Sequence, residues 1–334
     1  MMREFEIERQ FDLKIELIKP SKGIYFLKTN KGNMCLKKVA YGVQKLIFIY
    51  GAKEHLIKNG FTNIDRFYLS IDENPYAIVN EDIYTLSQWI DGRECDFLNI
   101  DEVKASSEML ANLHIASRGY EPPEHSKLKS DLDRWLNVMN KRIKSFDKMR
   151  DMVRKKGMKN DVDMMYIKNF EFYKEIAKQA YNVFEVSKYY DICREVEEEK
   201  SFCHHDYTHH NIIIDGDDKI NVLDFDYCKR EVRSYDISNF ITKVLKKNNW
   251  DINICKNIID SYDKNLKLRY DDIFLVYGFL LFPQRFWRIS NKYFYNDMLF
   301  RQNTFVNQFE KLINEREEYV EFLDKFKKEF SIKF

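Results

Sequence analysis

The sequence predicts an α+β fold in which a small, strand-rich lobe precedes a larger, mostly helical lobe. In residues 1–92, from Phe11 onward, apolar and polar residues alternate in short runs separated by turns, which is typical of half-buried strands. In residues 93–334, apolar residues recur at helical spacing from Asn99. The segment Ile212–Leu223 interrupts the helical lobe with an apolar run, an Asp-Gly turn and a second apolar run, and so predicts a β-hairpin.

Composition narrows the class of protein. The chain has 334 residues and is 44% hydrophobic, which is enough for a substantial core. It carries 55 basic and 54 acidic residues, so its charge indicates neither a nucleic-acid nor an anionic-membrane partner. No apolar run approaches the length of a membrane span, and the charged start MMREFEIERQ predicts no signal peptide and therefore synthesis in the cytoplasm. Six scattered cysteines, without a CxxC pair, favour reduced thiols over disulfides or zinc.

The first three strands are expected in LKIELIK, GIYFLKT and MCLKKV, with turns at Pro20–Gly23 and Asn30–Asn33. The third strand contains adjacent lysines, Lys37 and Lys38. Because neighbouring strand residues face opposite sides of a sheet, only one of them can point inward. Alternation counted from Cys35 favours Lys37.

A helix and two more strands complete the small lobe. VQKLIFIYGAKEHLIKNGF predicts a helix that ends at Gly60 and has Glu54 as its only glutamate. NPYAIVNED and IYTLSQWIDGREC predict two strands around an Asn80-Glu81-Asp82 turn.

Polar side chains cluster at one end of the predicted hairpin. His204-x-Asp206 and Asn211 precede its first run, and Asp224 follows its second. Mg²⁺ prefers oxygen ligands, and Asp224 and the amide oxygen of Asn211 supply two. Asp206 then remains to accept a proton from an attacking hydroxyl, and His204 is expected to lie beneath the loop and hydrogen-bond its backbone. This order of residues predicts a phosphoryl-transfer centre.

The histidines of this segment allow another interpretation. His204, His205, His209 and His210 could form a metal cluster, and His-His-Asp is similar to the core of HD-type metal phosphohydrolases. Those enzymes are all-helical, so a hairpin directly after the motif argues against them. His205, His209 and His210 are therefore interpreted as loop or surface residues.

The ordered motifs resemble a known superfamily. His204-x-Asp206-x-x-x-x-Asn211 followed by Asp224-Phe225-Asp226 resembles the catalytic and metal loops of aminoglycoside phosphotransferases and choline kinases. This resemblance implies a bilobal protein kinase-like fold, with a small antiparallel sheet and one helix in the N-lobe and a large helical C-lobe. It also implies ATP or another nucleoside triphosphate, and Mg²⁺, as cofactors. In SYDISN, Asp236 resembles the aspartate that braces the catalytic loop.

The resemblance also assigns nucleotide-binding residues. The turn containing Gly23 would cover the phosphates, although it has one glycine where protein kinases have three. Lys37 would pair with the α and β phosphates, and Glu54 with Lys37, although Glu54 comes later in its helix than the family's glutamate. The backbone that would contact adenine belongs to Ser87, Gln88 and Trp89.

The C-terminal helices carry a second resemblance. FPQRFWRISNKYFY is similar to the corresponding part of CotS-type spore coat proteins, which are kinase-like proteins of endospore-forming bacteria. Three functions stay open: an ATP-dependent kinase acting on an unidentified hydroxyl acceptor, a non-catalytic kinase-like component of the coat, and a choline or aminoglycoside kinase. This resemblance implies deposition in the spore coat, with other coat proteins as partners.

The same C-terminal segment contains the aromatic residues that a choline kinase would need for a quaternary-ammonium cage. They are expected to be core residues instead: Phe282, Phe286, Trp287, Tyr293, Phe294 and Tyr295. Basic residues among them, Arg285, Arg288 and Lys292, favour an anionic substrate.

Overall fold

The N-terminal strands form an antiparallel sheet in the computed structural model, which describes residues 4–295 and 302–333. The strands run in the order β1-β2-β3-β6-β4, and β5 pairs with β6. Their bounds are β1 (Ile15–Ser21), β2 (Ile24–Thr29), β3 (Gly32–Val39), β4 (Phe67–Tyr68), β5 (Ala77–Val79) and β6 (Asp82–Gln88). A second, three-stranded antiparallel sheet has the order β7-β8-β9 and consists of β7 (Gly92–Glu94), β8 (Ile212–Asp215) and β9 (Ile220–Val222).

Helices make up most of the remaining chain. Those before residue 130 are α1 (Glu4–Phe11), α2 (Val43–Lys58) and α3 (Ile100–Ala116). Those after it are α4 (Trp135–Lys155), α5 (Asp161–Val186), α6 (Tyr189–Glu199), α7 (Arg233–Leu245), α8 (Ile252–Asn265), α9 (Tyr270–Leu281), α10 (Gln284–Tyr295), α11 (Gln302–Asn314) and α12 (Arg316–Glu329). This mixed architecture, with an antiparallel sheet at the N-terminus and helices at the C-terminus, is the predicted fold class. None of the described helices combines the length and the apolarity that a membrane span needs.

The chain divides into two units. The first comprises Met1–Ser130, Val196–Glu231 and Ser261–Leu266, and the second comprises Asp131–Glu195, Val232–Asp260 and Lys267–Phe334. The hairpin β8–β9 therefore belongs to the same unit as the main sheet. The functional boundary at residue 92 stays a prediction.

One face of the main sheet packs against α1, a helix that the sequence reasoning did not predict. Ile7 and Phe11 of α1 are buried in one cluster with Leu27, Leu36 and Leu86 of the sheet. Because side chains alternate along a strand, burying Leu36 on this face turns Lys37 to the opposite face. The packing of the main sheet against α1 therefore determines which of the two lysines is available to a ligand.

The second sheet is held together by a close backbone approach at Gly92. Gly92 pairs with Asp215, and Arg93 pairs with Ile214. A Cβ atom on Gly92 would lie 2.4 Å from the carbonyl oxygen of Ile214, so only glycine fits there without a shift of the backbone. The first unit thus fixes the hairpin, and with it the polar residues at the hairpin's end.

The second unit has an aromatic core. Phe286 is fully buried and stacks on Tyr173 and Tyr166, with ring centroids 4.1 and 5.5 Å apart. Phe282 is also buried. These two residues are therefore core residues, as the sequence analysis expected. Trp287, Tyr293 and Phe294 are only half-buried, and the expectation is wrong for Tyr295, which is exposed.

Candidate active site

A cleft of about 670 Å³ opens on the face of the main sheet that carries Lys37. It is bounded by the strand residues Cys35, Lys37, Thr85 and Ser87 and by the hairpin end. The hairpin end contributes Asn211, Leu223, Asp224, Phe225 and Asp226. The first unit alone thus brings together the predicted phosphate anchor and both predicted metal ligands.

Lys37 bridges two carboxylates in this cleft. Its Nζ lies 2.8 Å from Oδ1 of Asp224 and 2.9 Å from Oδ2 of Asp226. The other carboxylate oxygen of Asp226 accepts a hydrogen bond of 2.6 Å from the hydroxyl of Tyr41. Sequence reasoning missed Asp226 and Tyr41. The two-residue spacing of Asp224-Phe225-Asp226 was the available signal for Asp226.

These contacts shift the ionisation of the groups involved. Burial lowers the pKa of Lys37, but the carboxylates of Asp226 and Asp224 outweigh it and hold that pKa well above its usual value. Burial raises the pKa of Asp224, and the charge and hydrogen bond of Lys37 more than reverse this, so that its pKa is lowered. Burial and the nearby Asp226 raise the pKa of Tyr41. Lys37 and Asp224 are therefore a charged pair at neutral pH, and Tyr41 is a neutral donor.

The backbone at Asp224 is held in an unusual conformation. Asp224 has φ 60° and ψ 69°, in the left-handed region that is costly for a residue with a side chain. His204 supports this loop, because its Nε2 donates to the carbonyl oxygen of Leu223 at 2.9 Å and its Nδ1 accepts from the backbone N–H of Asp206 at 3.2 Å. Its ring packs on Phe225 at 4.7 Å. The histidine thus connects the loop of Asp206 to the loop of Asp224.

Asn211 orients Asp206. Its amide nitrogen donates to the backbone carbonyl of Asp206 at 2.9 Å and to the carboxylate Oδ2 of Asp206 at 3.3 Å. The backbone carbonyl of Asn211 accepts from the N–H of Leu223 at 2.8 Å. With the amide nitrogen and backbone engaged in this way, Oδ1 is the atom of Asn211 that a cation can use.

The donor set fits a magnesium ion. Asp224 and Asp226 offer carboxylate oxygens and Asn211 offers an amide oxygen, and all three line the same cleft. A hard cation such as Mg²⁺ takes ligands of this kind and completes its shell with phosphate and water. The residues of this cleft therefore suit a magnesium–nucleotide complex.

The predicted pair between Lys37 and Glu54 does not form. Glu54 instead binds Arg66 through both carboxylate oxygens, at 3.1 and 2.7 Å. The buried charge on α2 is Lys53, whose Nζ lies 2.9 Å from Asp65. The reason is helix phase: successive residues are rotated by about 100°, so Lys53 faces inward and Glu54 faces Arg66.

Lys38, the alternative phosphate anchor, faces away from the cleft. Its side chain is 54% exposed and pairs with Asp82 at 2.6 Å. The assignment of the inward position to Lys37 thus agrees with the register of β3 against β6, where Lys37 lies opposite Thr85 of the cleft.

Part of the backbone that was predicted to contact adenine already forms hydrogen bonds within the protein. The N–H of Gln88 donates to the carbonyl of Arg66 at 2.9 Å, and the N–H of Trp89 donates to the carbonyl of Asn33 at 3.2 Å. Ser87 is paired on both sides, with Cys35 and with Phe67. Ser87, Gln88 and Trp89 line the cleft, but the N–H groups of Gln88 and Trp89 are engaged within the protein, and the contact of this backbone with adenine stays a prediction.

Gly23 and Asp236 lie outside the cleft lining, and so do Glu54, His204 and Asp206. Gly23 occupies the β1–β2 turn with φ 86°, a value that favours glycine, and its neighbours Lys22 and Ile24 line the cleft. Lys22 forms an ion pair with Glu94. Asp236 lies in α7 of the second unit and is fully buried, and its predicted bracing role stays a prediction.

The fold is that of the kinase-like phosphotransferases. An aminoglycoside phosphotransferase from Alicyclobacillus acidocaldarius superposes with a TM-score of 0.84 at 19% identity, covering 99% of this chain and 97% of the other. A spectinomycin phosphotransferase, solved with ADP and spectinomycin, superposes with a TM-score of 0.69 at 10% identity and covers 96% of both chains.

Within this class, the chain belongs to the family described as "Spore coat putative kinase YutH", whose model matches residues 4–326. It is also 22% identical over 282 residues to spore coat protein S of Bacillus subtilis, covering 83% of this chain and 78% of that protein.

Proposed function

We propose that this protein is an ATP- and Mg²⁺-dependent phosphotransferase of the spore coat that moves the γ-phosphoryl group to a hydroxyl of an unidentified acceptor. The observation that carries the proposal is the convergence of Lys37, Asp224, Asp226 and Asn211 on one cleft. The ADP bound by the spectinomycin phosphotransferase supports the nucleotide. The names of the family and of spore coat protein S support the location.

Each residue has a distinct role in this proposal. Lys37 binds phosphate oxygens as a point charge. Asp224, Asp226 and Asn211 hold Mg²⁺, which supplies charge neutralisation to the transferred group when it is bound. Asp206 accepts the proton of the acceptor hydroxyl, and the hydrogen bond from Asn211 fixes its carboxylate for that step. Lys37 must also exchange at least one carboxylate for phosphate, since Asp224 and Asp226 now share its ammonium.

A second function has its own support. Lys37 lacks a glutamate partner among residues 4–295 and 302–333, and the inward charge of α2 is the cation Lys53. A kinase-like coat component that binds nucleotide without transferring phosphate would tolerate this change. The alternative of a choline or aminoglycoside kinase rests on superfamily resemblance.

Phosphoryl transfer tests the choice between these functions. The protein is incubated with [γ-³²P]ATP, Mg²⁺ and a panel of hydroxyl compounds, and both transfer and ATP hydrolysis are measured. Asp206→Asn should lower the rate by about 100-fold or more while leaving MgATP binding intact. Asp217→Asn, an exposed aspartate of the same hairpin, is the matched control and should retain the wild-type rate. MgATP binding without transfer or hydrolysis in the wild type would favour the non-catalytic coat component.

A further inference from the structure

An arginine fills an aromatic box in the second unit. The guanidinium of Arg142, on α4, lies 4.3 Å from the ring centroid of Trp287, 5.7 Å from that of Trp135 and 5.8 Å from that of Phe282. Trp287 is fixed in this position because its indole N–H donates to Ser145 at 2.9 Å. The hydroxyl of Ser145 in turn donates to the carbonyl oxygen of Arg142 at 2.6 Å. Ser145 thus connects Trp287 of the box to the backbone of Arg142 through hydrogen bonds.

The guanidinium is short of polar partners. In the described part of the chain, its side-chain hydrogen bond is to Oε1 of Gln284, and it has no ion pair with a carboxylate. The nearby Asp131 pairs with Arg134 at 3.4 Å. A guanidinium has five N–H donors, and those of Arg142 that lack a partner are not sealed from solvent. Burial lowers the pKa of Arg142 to about 10, and Tyr235 and Asp131 reverse only part of this.

The surroundings of the box are basic. Arg288 and Lys292 follow Gln284 at intervals of four residues on α10, so they share its side of that helix. Both are exposed. A cage of this kind could bind a quaternary ammonium, but here the protein's own cation occupies the position against the rings. The local charge therefore favours an anion and disfavours a second cation.

We propose that Arg142, with Trp287 as a flat apolar wall, forms a binding site for the carboxylate or phosphate group of a small ligand. A planar guanidinium matches two oxygens of either group, and charge-assisted hydrogen bonds of this type are stronger than neutral ones. The site lies within the second unit, and its existence does not depend on phosphotransferase activity. Arg288 and Lys292 of α10 make the surroundings basic, and Arg142 of α4 is the residue that recognises the anion.

Tryptophan fluorescence and calorimetry of the full-length protein test this site. The probes are benzoate, phenyl phosphate and inorganic phosphate at constant ionic strength, with choline as the cationic comparison. Benzoate against phenyl phosphate distinguishes a carboxylate ligand from a phosphate ligand. Every titration is repeated with Lys37→Met, so that phosphate bound in the nucleotide cleft is recognised and subtracted.

Substitutions at Arg142 decide the outcome. Arg142→Gln should weaken binding of the preferred anion by roughly tenfold or more, and Arg142→Lys should weaken it less, since the charge remains but the fork is lost. Arg154→Gln, at an exposed arginine on the same helix, should leave it unchanged. The proposal is overturned if none of the anions binds to the wild type, if Arg142→Gln and Arg142→Lys both bind anions as the wild type does, or if choline binds in their place. The first of these outcomes is decided by the wild-type titration alone.

Discussion

Replacing Lys37 with methionine should destabilise the protein through the two carboxylates that Lys37 neutralises. Methionine keeps most of the side-chain volume but removes the ammonium that lies 2.8 Å from Asp224 and 2.9 Å from Asp226. The two carboxylates would then face each other in a partly dry cleft. Their mutual repulsion and incomplete hydration are the expected cost.

The magnitude follows from the burial of the three groups. Breaking a fully buried ion pair costs about 3–5 kcal/mol, whereas exposed pairs contribute about 0–1 kcal/mol. The side chains of Lys37, Asp224 and Asp226 are 29%, 36% and 20% exposed, which places them between these limits. We therefore expect Lys37→Met to lower the free energy of unfolding by about 2 kcal/mol at pH 7.

The loss should depend on pH. In the wild type, Lys37 lowers the pKa of Asp224, so its stabilisation is present above the unfolded carboxyl pKa of about 3.9 and is lost as pH falls through the folded value. The pKa of Lys37 is raised, so the pair is also intact at neutral and mildly alkaline pH. The difference between wild type and Lys37→Met should be full at pH 7 and should shrink below about pH 5, where the mutant's carboxylates bind protons.

Urea unfolding at several pH values measures this difference. Lys38→Met is the matched control, because the neighbouring lysine forms an exposed pair with Asp82 and should cost less than about 1 kcal/mol. Equal losses for the two variants, or a Lys37→Met loss that is the same at pH 4.5 and pH 7, would refute the reasoning.

Two further changes have defined outcomes. Gly92→Ala should lower the free energy of unfolding by about 2 kcal/mol, because its Cβ would meet the carbonyl of Ile214, whereas Gly216→Ala in the open hairpin turn should cost much less; thermal unfolding compares them. Lys246→Gln should stabilise the protein below pH 8, with the gain fading towards pH 10.5. Burial, with nearby Arg285 and Arg288, lowers the pKa of Lys246 to about 8, so the unfolded chain binds more protons in that interval. Urea unfolding of the wild type and Lys246→Gln at pH 7 and pH 10 measures this gain. A difference in unfolding free energy that is the same at both pH values would contradict the prediction.

Local sequence patterns predict the features of the fold that depend on strand alternation and on turns. The inward position of Lys37 follows from strand periodicity, since Leu36 must face the core. The hairpin was predicted because the Asp-Gly turn separates two β-prone runs that pair as Ile212 with Val222. These features depend on near neighbours, which a single sequence displays.

Other features depend on residues that are distant in sequence. The partners of Lys37 lie 187 and 189 positions further along the chain, and the backbone at Asp224, the first of them, has a left-handed conformation that the sequence does not display. Arg66 accounts for two departures from the predicted site. Its side chain binds Glu54, which was predicted to pair with Lys37, and its carbonyl oxygen accepts the N–H of Gln88, which was predicted to contact adenine. Helix α1 is short and highly charged, so its sequence does not indicate a buried helix. Ile7 is buried because the helix packs on the main sheet, and that contact cannot be predicted from the helix alone.

Calorimetric titration of ATP with and without Mg²⁺, on the wild type and Asp224→Ala, tests the metal–nucleotide site most directly. The wild type should bind ATP about tenfold or more tightly with Mg²⁺ than with a chelator, a difference of about 1.4 kcal/mol or more. Asp224→Ala should lose this dependence on Mg²⁺, while Asp217→Ala, on the exposed hairpin turn, should keep it. Wild-type affinity that is the same with Mg²⁺ and with chelator, or no binding at millimolar ATP, would contradict the account.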